Sequence, residues 1–455
     1  MMKNMTLENI AAACGGQIYY MREDLAQETA KGVVIDSRQI EPGYIFVATK
    51  GERVDGHRFI PDVFAKGALA VICEVLPEED LGPCILVEDS FMALKQAAAF
   101  YRQQLNIRVV GITGSVGKTS TKEFIAAVLA EKYKVHKTAG NYNNEVGLPL
   151  TIFGIQDDDQ IAVLEMGINT FGEMHRLSEV ARPDICVMTN IGQCHLENLI
   201  DRDGILRAKS EIFDFMNPEG TVIVNGDDDK LATIHDVYGK APITFGMNKD
   251  NAIWADHIEN RGLLGSRADI HMGDVLVHAN IPLPGEHMIY NAMAAAGVQF
   301  DMTKDEITAG ISHVEAVAGR SHLIEAGDKV VIDDCYNANP VSMKAAIDLL
   351  ATAPGRKVAI LGDMFELGEN ERAMHREVGQ YAAEKGIDLI LCVGGLSSEM
   401  YEGAAEKGGE ARHFEIREAL EAVLQDLLQP GDTVLVKASH SMAFENIVQN
   451  IQENE

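Results

Sequence analysis

The sequence predicts an α/β protein of three domains. A central P-loop mononucleotide-binding domain with a parallel sheet is preceded by a smaller α/β domain and followed by a Rossmann-like α/β domain. Three observations carry this reading. A strand, a glycine turn and a helix start succeed one another around Gly111-Ile-Thr-Gly-Ser-Val-Gly-Lys-Thr-Ser120. Apolar runs of strand length alternate with helical patterns along most of the chain, which argues for parallel sheets with helices on their faces. The 455 residues, 46% of them hydrophobic, suffice for several cores. Pattern shifts near 105 and 319 divide the chain into blocks 1–105, 106–318 and 319–455.

In the first block, short apolar runs predict strands at 32–35, 44–48, 68–73 and 84–87, and an amphipathic pattern predicts a helix over 92–104. The middle block opens with a buried strand at 107–112 and a helix over 122–131, followed by strands at 161–165, 185–190 and 221–225. Helices are predicted at 172–180 and 204–215. The third block alternates again: strand 329–333, helix 342–351, strand 357–361, helix 371–384 and strands 389–393 and 434–437.

The turn at the head of the middle block is where chemistry is most legible. Backbone N–H groups of a glycine loop at a helix N-terminus cradle phosphates. Thr113, Gly114, Ser115, Val116 and Gly117 form that loop, Lys118 is placed to reach β/γ-phosphates, and the Thr119 hydroxyl is placed to ligate Mg²⁺. Ile112 stands where the common spacing has glycine, so the turn uses Gly111 and Gly114 instead. A plain strand-to-helix turn with a surface lysine is the alternative. A nucleoside triphosphate with Mg²⁺ is the ligand expected.

Composition narrows the partners. A net charge of −30 disfavours nucleic acid, and an anionic substrate would need local Arg and Lys to overcome the global field. Seven cysteines, odd in number and without a Cys-x-x-Cys pair, argue against a disulfide framework or zinc ribbon and fit a reducing compartment. The first residues include Lys3 and Glu8 without a long apolar core, and no run of about 18 apolar residues exists. A cytoplasmic protein without membrane contact, acting as a monomer, is expected.

Further candidates lie where strands end. Glu165 closes an apolar strand beside the loop, the position from which an acid ligates Mg²⁺ in P-loop folds. His195 also follows a strand, although a lone histidine is usually structural. Lys209, by residue type alone, reads as a solvated lysine on a helix. The segment Gly140-Asn-Tyr-Asn-Asn-Glu-Val-Gly147 is either a turn-rich loop or a hydrogen-bonding floor for a polar substrate. Loop 333–340 is either a ligand-binding loop at a sheet edge or an Asn-Pro turn. Asp36-Ser37-Arg38 follows an early strand, Asp55-Gly56-His57 closes a glycine-bounded loop, and the Ser-Arg pair could hold a diphosphate.

Together these residues resemble the Mur ligases, the family that builds the bacterial peptidoglycan precursor. The resemblance rests on the Thr-Gly-x-x-Gly-Lys-Thr loop at 113–119, Glu165, His195 and Lys209. It also rests on Asn141-Tyr-Asn-Asn-Glu-Val-Gly-Leu-Pro149, Asp333-Asp-Cys-Tyr-Asn-Ala-Asn-Pro340 and Leu361-Gly-Asp-Met-Phe-Glu-Leu-Gly368, and so spans all three blocks. These three stretches are most similar to members that add D-alanyl-D-alanine to UDP-N-acetylmuramoyl-tripeptide.

The resemblance implies an ATP-driven amide-forming ligase working through an acyl phosphate. It implies that the first domain binds the UDP-muramoyl nucleotide, with Ser37 and Arg38 near the diphosphate, Asp55 and His57 in the same site, and Asn143 and Asn144 as further substrate contacts. Thr119 and Glu165 would coordinate one Mg²⁺, while His195 and a carbamylated Lys209 would help place a second. Asn291 would contact adenine, and Arg320 and Asp334 would close onto the nucleotide from the third domain. Two positions depart from the family pattern: Met288 stands where Asn is frequent, and His440 replaces an arginine, losing its permanent charge and forked donors. A folate polyglutamylating ligase and the ligase that adds the third peptide residue are rivals within the fold. A nucleotide-gated switch is the rival outside it.

Overall fold

The computed structural model describes residues 1–25, 27–51 and 54–453. These residues form three sheets, of five, nine and six strands.

The first sheet comprises β1 (Gln17–Tyr19), β2 (Gly32–Val34), β3 (Tyr44–Val47), β4 (Ala70–Cys73) and β5 (Cys84–Leu86) in the order β1-β5-β4-β3-β2. Only β1 runs antiparallel to its neighbour. Three helices accompany it: α1 (Leu7–Ala13), α2 (Ile60–Ala65) and α3 (Ser90–Gln104). The Asp89 side chain caps α3 by accepting from the Met92 N–H at 2.8 Å, satisfying one of the orphan donors of a helix start.

In the middle domain β6 (Arg108–Thr113) lies between β8 (Ile161–Glu165) and β9 (Ile185–Met188), with β7 (Val135–Lys137) at one edge. Beyond β9 follow β10 (Thr221–Asn225), β11 (Ile243–Gly246), β12 (Ile253–Asn260), β13 (Ser266–Met272) and β14 (Val275–Ile281). The helices are α4 (Lys118–Ala130), α5 (Gly147–Phe153), α6 (Glu173–Ala181), α7 (Leu196–Leu199), α8 (Arg202–Ser210), α9 (His287–Gly297) and α10 (Lys304–Ser312).

The parallel sheet expected here holds from β7 through β12, but β12, β13 and β14 pair antiparallel. The cause is one-sided burial. Along β13 and β14 residues alternate between buried and exposed, the pattern of a sheet covered on one face only. A two-residue Gly273-Asp274 connection between Met272 and Val275 can join only antiparallel strands. Helix α9 went unpredicted because its Met-Ala-rich sequence is buried nearly all round and shows no polar stripe. The helix predicted over 204–215 is α8, begun at Arg202 and followed by a 3₁₀ turn over Glu211–Phe213.

Helix α3 packs on the middle domain rather than standing clear of it. The Tyr101 hydroxyl donates to the Ile155 carbonyl at 2.9 Å and Arg102 Nε to the Ala181 carbonyl at 3.0 Å. One apolar cluster runs from Leu7 and Ile85 through Leu94 and Ala98 to Leu148, Leu177 and Met188. The pattern shift at 105 thus coincides with the end of a helix, while the core crosses it.

The third sheet contains β15 (His322–Ala326), β16 (Lys329–Asp333), β17 (Lys357–Gly362), β18 (Leu389–Val393), β19 (Ala411–Phe414) and β20 (Thr433–Lys437) in the order β15-β16-β20-β17-β18-β19. The β15–β16 hairpin is antiparallel and the rest is parallel. Strands β18 and β20 are buried along their whole length, as expected for parallel strands covered on both faces. Helix α11 (Pro340–Ala351) starts with a capping box between Asn339 and Ser342 and with Pro340 in its first turn. Helix α12 (Glu371–Glu384) follows β17. Among the described residues no helix is long and apolar enough to cross a membrane.

Candidate active site

The carboxyl ends of β6, β8 and β9 open into a cleft of about 520 Å³, closed on its far side by the third domain. Parallel sheets bind ligands at this end because strand-to-helix loops and helix N-termini converge there.

Loop 113–119 leaves β6 and enters α4 through Gly117 at φ 84°. Ser115, Val116, Gly117, Lys118 and Thr119 line the cleft. Thr113 and Gly114 do not: they lie behind the loop, against the end of β9. A β-carbon on Gly114 would sit 1.9 Å from Thr189 Oγ1, so only glycine lets the loop close on that strand. Lys118 Nζ donates to the Gly114 carbonyl at 2.9 Å. Burial pulls its ammonium below the ordinary lysine range, with Arg320 adding repulsion and Glu165 opposing it.

Glu165 is 1% exposed. Its Oε2 accepts the Thr119 hydroxyl at 2.9 Å and its Oε1 accepts the Asn143 amide at 2.7 Å. Among the described residues no lysine, arginine or histidine forms an ion pair with it. A buried carboxylate held only by neutral donors is costly unless a cation completes it. Hydroxyl and carboxylate oxygens are the hard donors Mg²⁺ prefers, so this pair fits the metal expected.

His195 lines the same cleft. Its Nδ1 lies 2.5 Å from Glu366 Oε2, which puts the proton on Nδ1 and leaves the Nε2 lone pair without a partner among the described residues. A carboxylate holding one ring nitrogen is the usual arrangement around a metal-binding histidine. His195 and Glu366 both hold positive φ, 52° and 61°, and they tie the middle domain to the third. Lys209 is not the solvated lysine its residue type suggested. It is 1% exposed, and burial pushes its amine down to about 8. It lies outside the cleft lining but within electrostatic range of Lys118 and His195.

Asn291, from α9, accepts the Thr121 hydroxyl at 2.9 Å through Oδ1, while its Nδ2 reaches Met288 Sδ at 3.4 Å. The methionine at 288 therefore anchors Asn291 through sulfur. From the third domain, Arg320 lies over the Tyr336 ring, 3.8 Å from its centroid, and both line the cleft. Asp334 accepts Lys437 Nζ at 2.6 Å and the Ser321 N–H at 2.9 Å. His440 stacks on Tyr336 with centroids 5.3 Å apart, which places an aromatic contact where the family pattern has an arginine.

The first-domain candidates are not gathered in this way. Arg38 is exposed and closes on Asp36 through Nε and Nη2, holding that carboxyl down to about 2. Lys66 Nζ donates to the Ser37 carbonyl at 2.9 Å, while the Ser37 hydroxyl has no partner among the described residues. His57 accepts the Glu74 N–H at Nε2 (2.9 Å) and donates from Nδ1 to Asp55 at 2.7 Å, so both ring nitrogens are committed. Among the described residues no hydrogen bond or ion pair joins the 36–38 turn to the 55–57 turn.

Sequence reasoning missed Thr189 and Asn190. The Thr189 hydroxyl donates to the Val116 carbonyl at 2.6 Å, and Asn190 Oδ1 accepts the Val116 N–H at 2.9 Å. Their signal was available: they directly follow the carboxyl end of β9, next to β6 in the same sheet. Asp227 was also missed; it accepts the Tyr290 hydroxyl at 3.0 Å on the cleft wall, and the sequence gives no pattern for that pairing.

Comparison with known proteins agrees with this geometry. Family profiles match residues 29–133 (Mur ligase family, catalytic domain), 112–299 (Mur ligase middle domain) and 319–440 (Mur ligase, glutamate ligase domain). UDP-N-acetylmuramoyl-tripeptide–D-alanyl-D-alanine ligase of Bacillus subtilis strain 168 is 37% identical, over 99% of this chain and 98% of the relative. The crystal structure of MurF from Acinetobacter baumannii superposes with a TM-score of 0.91 at 32% identity, covering 99% of both chains. MurF ligase from Thermotoga maritima, solved in complex with ADP, gives 0.81 at 28% identity over 95% of this chain and 99% of that one.

Proposed function

The chain belongs to the Mur ligase family, and from that premise we propose that it joins D-alanyl-D-alanine to UDP-N-acetylmuramoyl-tripeptide with ATP as energy source. The product is a peptidoglycan precursor. One observation carries the reading: Lys118, the Thr119–Glu165 pair and Arg320 face one cleft built from two domains. A reaction that both binds a triphosphate and consumes it under cover makes use of that arrangement.

The chain's own residues divide the work. Asn190 holds the N–H groups of Ser115 and Val116 and so shapes the loop, while the backbone N–H groups of 117–119 at the α4 N-terminus would hold the phosphates. Lys118 exchanges the Gly114 carbonyl for a phosphate oxygen, which its depressed ammonium makes favourable. Arg320, steadied on Tyr336, presents its fork to the same phosphoryl group from the other side. Thr119 and Glu165 would hold one Mg²⁺ and His195 would help hold a second; bound there, the ions would supply positive charge to offset the approach of the peptide carboxylate to the γ-phosphate. The carboxylate takes the γ-phosphoryl group as ADP leaves, the third domain excludes water from the acyl phosphate, and the dipeptide amine attacks its carbonyl carbon, releasing inorganic phosphate and a proton.

Lys209 completes the set as a carbamate. Its neutral amine would combine with CO₂, forming an N–C bond and releasing one proton, to give an oxygen-donor anion able to ligate a second Mg²⁺. Low amine basicity in a buried site makes this accessible near neutral pH. We assign UDP-substrate binding to 1–105, with Ser37, Arg38, Asp55 and His57 on its polar loops and Asn143 and Asn144 at its junction with the middle domain. ATP binding is assigned to 106–318, with adenine near Asn291, and domain closure to 319–455 through Arg320 and Asp334. The enzyme is taken as a cytoplasmic monomer.

The test is phosphate release. Turnover should require ATP, the muramoyl tripeptide and D-alanyl-D-alanine together, and omission of either acceptor or dipeptide should stop it. Full-rate release from ATP alone would indicate a nucleotide switch instead.

A further inference from the structure

The loop between β7 and α5 carries one residue to which the reaction assigns no role. Glu145 sits between two cations from different domains. Lys95 Nζ of α3 approaches its Oε1 at 2.9 Å, Arg176 Nη2 of α6 its Oε2 at 3.0 Å, and Arg176 Nε also contacts Oε1. Burial alone would raise the Glu145 carboxyl, yet the two cations hold it below the ordinary range. Lys95 belongs to the first domain's helix and Arg176 to the middle domain, so Glu145 is the ionic joint between them.

Two residues earlier on the same loop, Asn143 donates to Glu165 Oε1 at 2.7 Å, and its carbonyl accepts the Gly167 N–H at 2.8 Å. The intervening loop cannot give. Asn144 Oδ1 accepts the N–H groups of Val146 and Gly147, and the Tyr142 carbonyl accepts the Thr151 hydroxyl. A β-carbon at Gly147 would lie 2.4 Å from the Tyr142 backbone, so the chain folds onto itself with no slack. Glu145 and Asn143 are thus held with one residue between them on an internally bonded loop.

We propose that Glu145 is a positioning residue for the metal-binding carboxylate: through the Lys95–Glu145–Arg176 bridge, the seating of the first domain sets the Asn143–Glu165 contact and with it the affinity for the divalent cation. The proposal rests on the assignment of Glu165 as a Mg²⁺ ligand. Substrate seated on the first domain would then be felt at the metal without touching it.

The test uses the full-length enzyme with ADP and Mn²⁺ as a paramagnetic probe, free Mn²⁺ being read by electron paramagnetic resonance. Glu145→Gln keeps the shape but removes the charge. It should weaken Mn²⁺ binding by about tenfold, the range found when partners behind metal ligands are removed. Lys95→Met, which lies in another domain and touches none of the nucleotide residues, should weaken it severalfold in the same direction. The double variant should match Glu145→Gln alone, because both act through one bridge. The Mg²⁺ concentration for half-maximal phosphate release should rise in parallel, with melting temperatures close to the parent's. Glu165→Gln is the control. If it binds Mn²⁺ as the parent does, the metal assignment fails and the proposal falls with it. If it loses Mn²⁺ while Lys95→Met and Glu145→Gln bind within twofold of the parent, the metal assignment stands and the coupling is overturned.

Discussion

The nucleotide cleft and the polar loops of the first domain use the same residue types to opposite ends. In the cleft, among the described residues, Glu165 accepts hydrogen bonds from neutral donors, His195 Nε2 has no partner, and Arg320 rests on an aromatic ring without an ion pair. Each holds capacity for a ligand. In the first domain, Arg38 is closed on Asp36 and His57 has both nitrogens engaged, one on Asp55 and one on Glu74. The cleft is preorganised, with its electrostatics arranged in advance. Under the assignment proposed above, the first domain would break these internal contacts on binding, so its residues should govern substrate affinity rather than the chemical step.

Lys118→Ala is the strongest test of the preorganised side. Losing a charge contact to the transferring phosphoryl group should lower kcat by at least ~10²-fold, with circular dichroism and melting unchanged. Near-normal turnover in the folded variant would remove the loop from the mechanism.

Lys209 comes next. Lys209→Ala should lose activity by on the order of 10²-fold, and Lys209→Arg should fail equally, since a guanidinium stays charged and cannot be carbamylated. Short carboxylic acids should restore part of the alanine variant's activity. In the parent, the amine titrates at about 8 against 10.5 for an ordinary lysine. Raising the pH from 7 to 9 in bicarbonate-limited buffer should therefore increase both carbamate content, followed by ¹³C NMR, and rate. Stability follows the same sign. Between about 8 and 10.5 the unfolded chain holds the extra proton, so the contribution of this group to unfolding free energy rises with pH there. Below 8 its burial cost is felt in full. An active Lys209→Arg enzyme would refute the carbamate.

Glu366→Gln tests the link between domains. It leaves His195 without its anionic partner, and metal affinity should fall by about 10-fold or more, measured by Mn²⁺ titration. Affinity equal to the parent's would make the His195–Glu366 contact a surface pairing only.

The smallest effect is expected from Arg38→Gln. Because Arg38 is exposed and paired with Asp36, its loss should leave melting unchanged and kcat close to the parent's. KM for the UDP-linked substrate should rise severalfold. A fall in kcat with unchanged KM would invert the contrast between the two regions.

What was legible in the sequence was contiguous. The phosphate loop is a local object, since its glycines, lysine and threonine occupy neighbouring positions and their backbone makes the site. Glu165 could be placed because strand ends in parallel sheets converge. The β/α alternation, and with it most strands of the first and third sheets, follows from apolar runs whose length and spacing the chain itself sets. Tertiary structure decided the rest, because it depends on which surfaces meet. Packing of α8 against its neighbours turned Lys209 from a presumed solvated residue into a buried amine. One-sided cover turned 253–281 into an antiparallel extension of a parallel sheet. The union of His195 with Glu366, 171 residues apart, and of Lys95 with Arg176 through Glu145 needed three domains brought into register. Local sequence fixes dihedral preferences and burial patterns, but desolvation and charge pairing are properties of the assembled interior, and these set the state of each titratable group in the site.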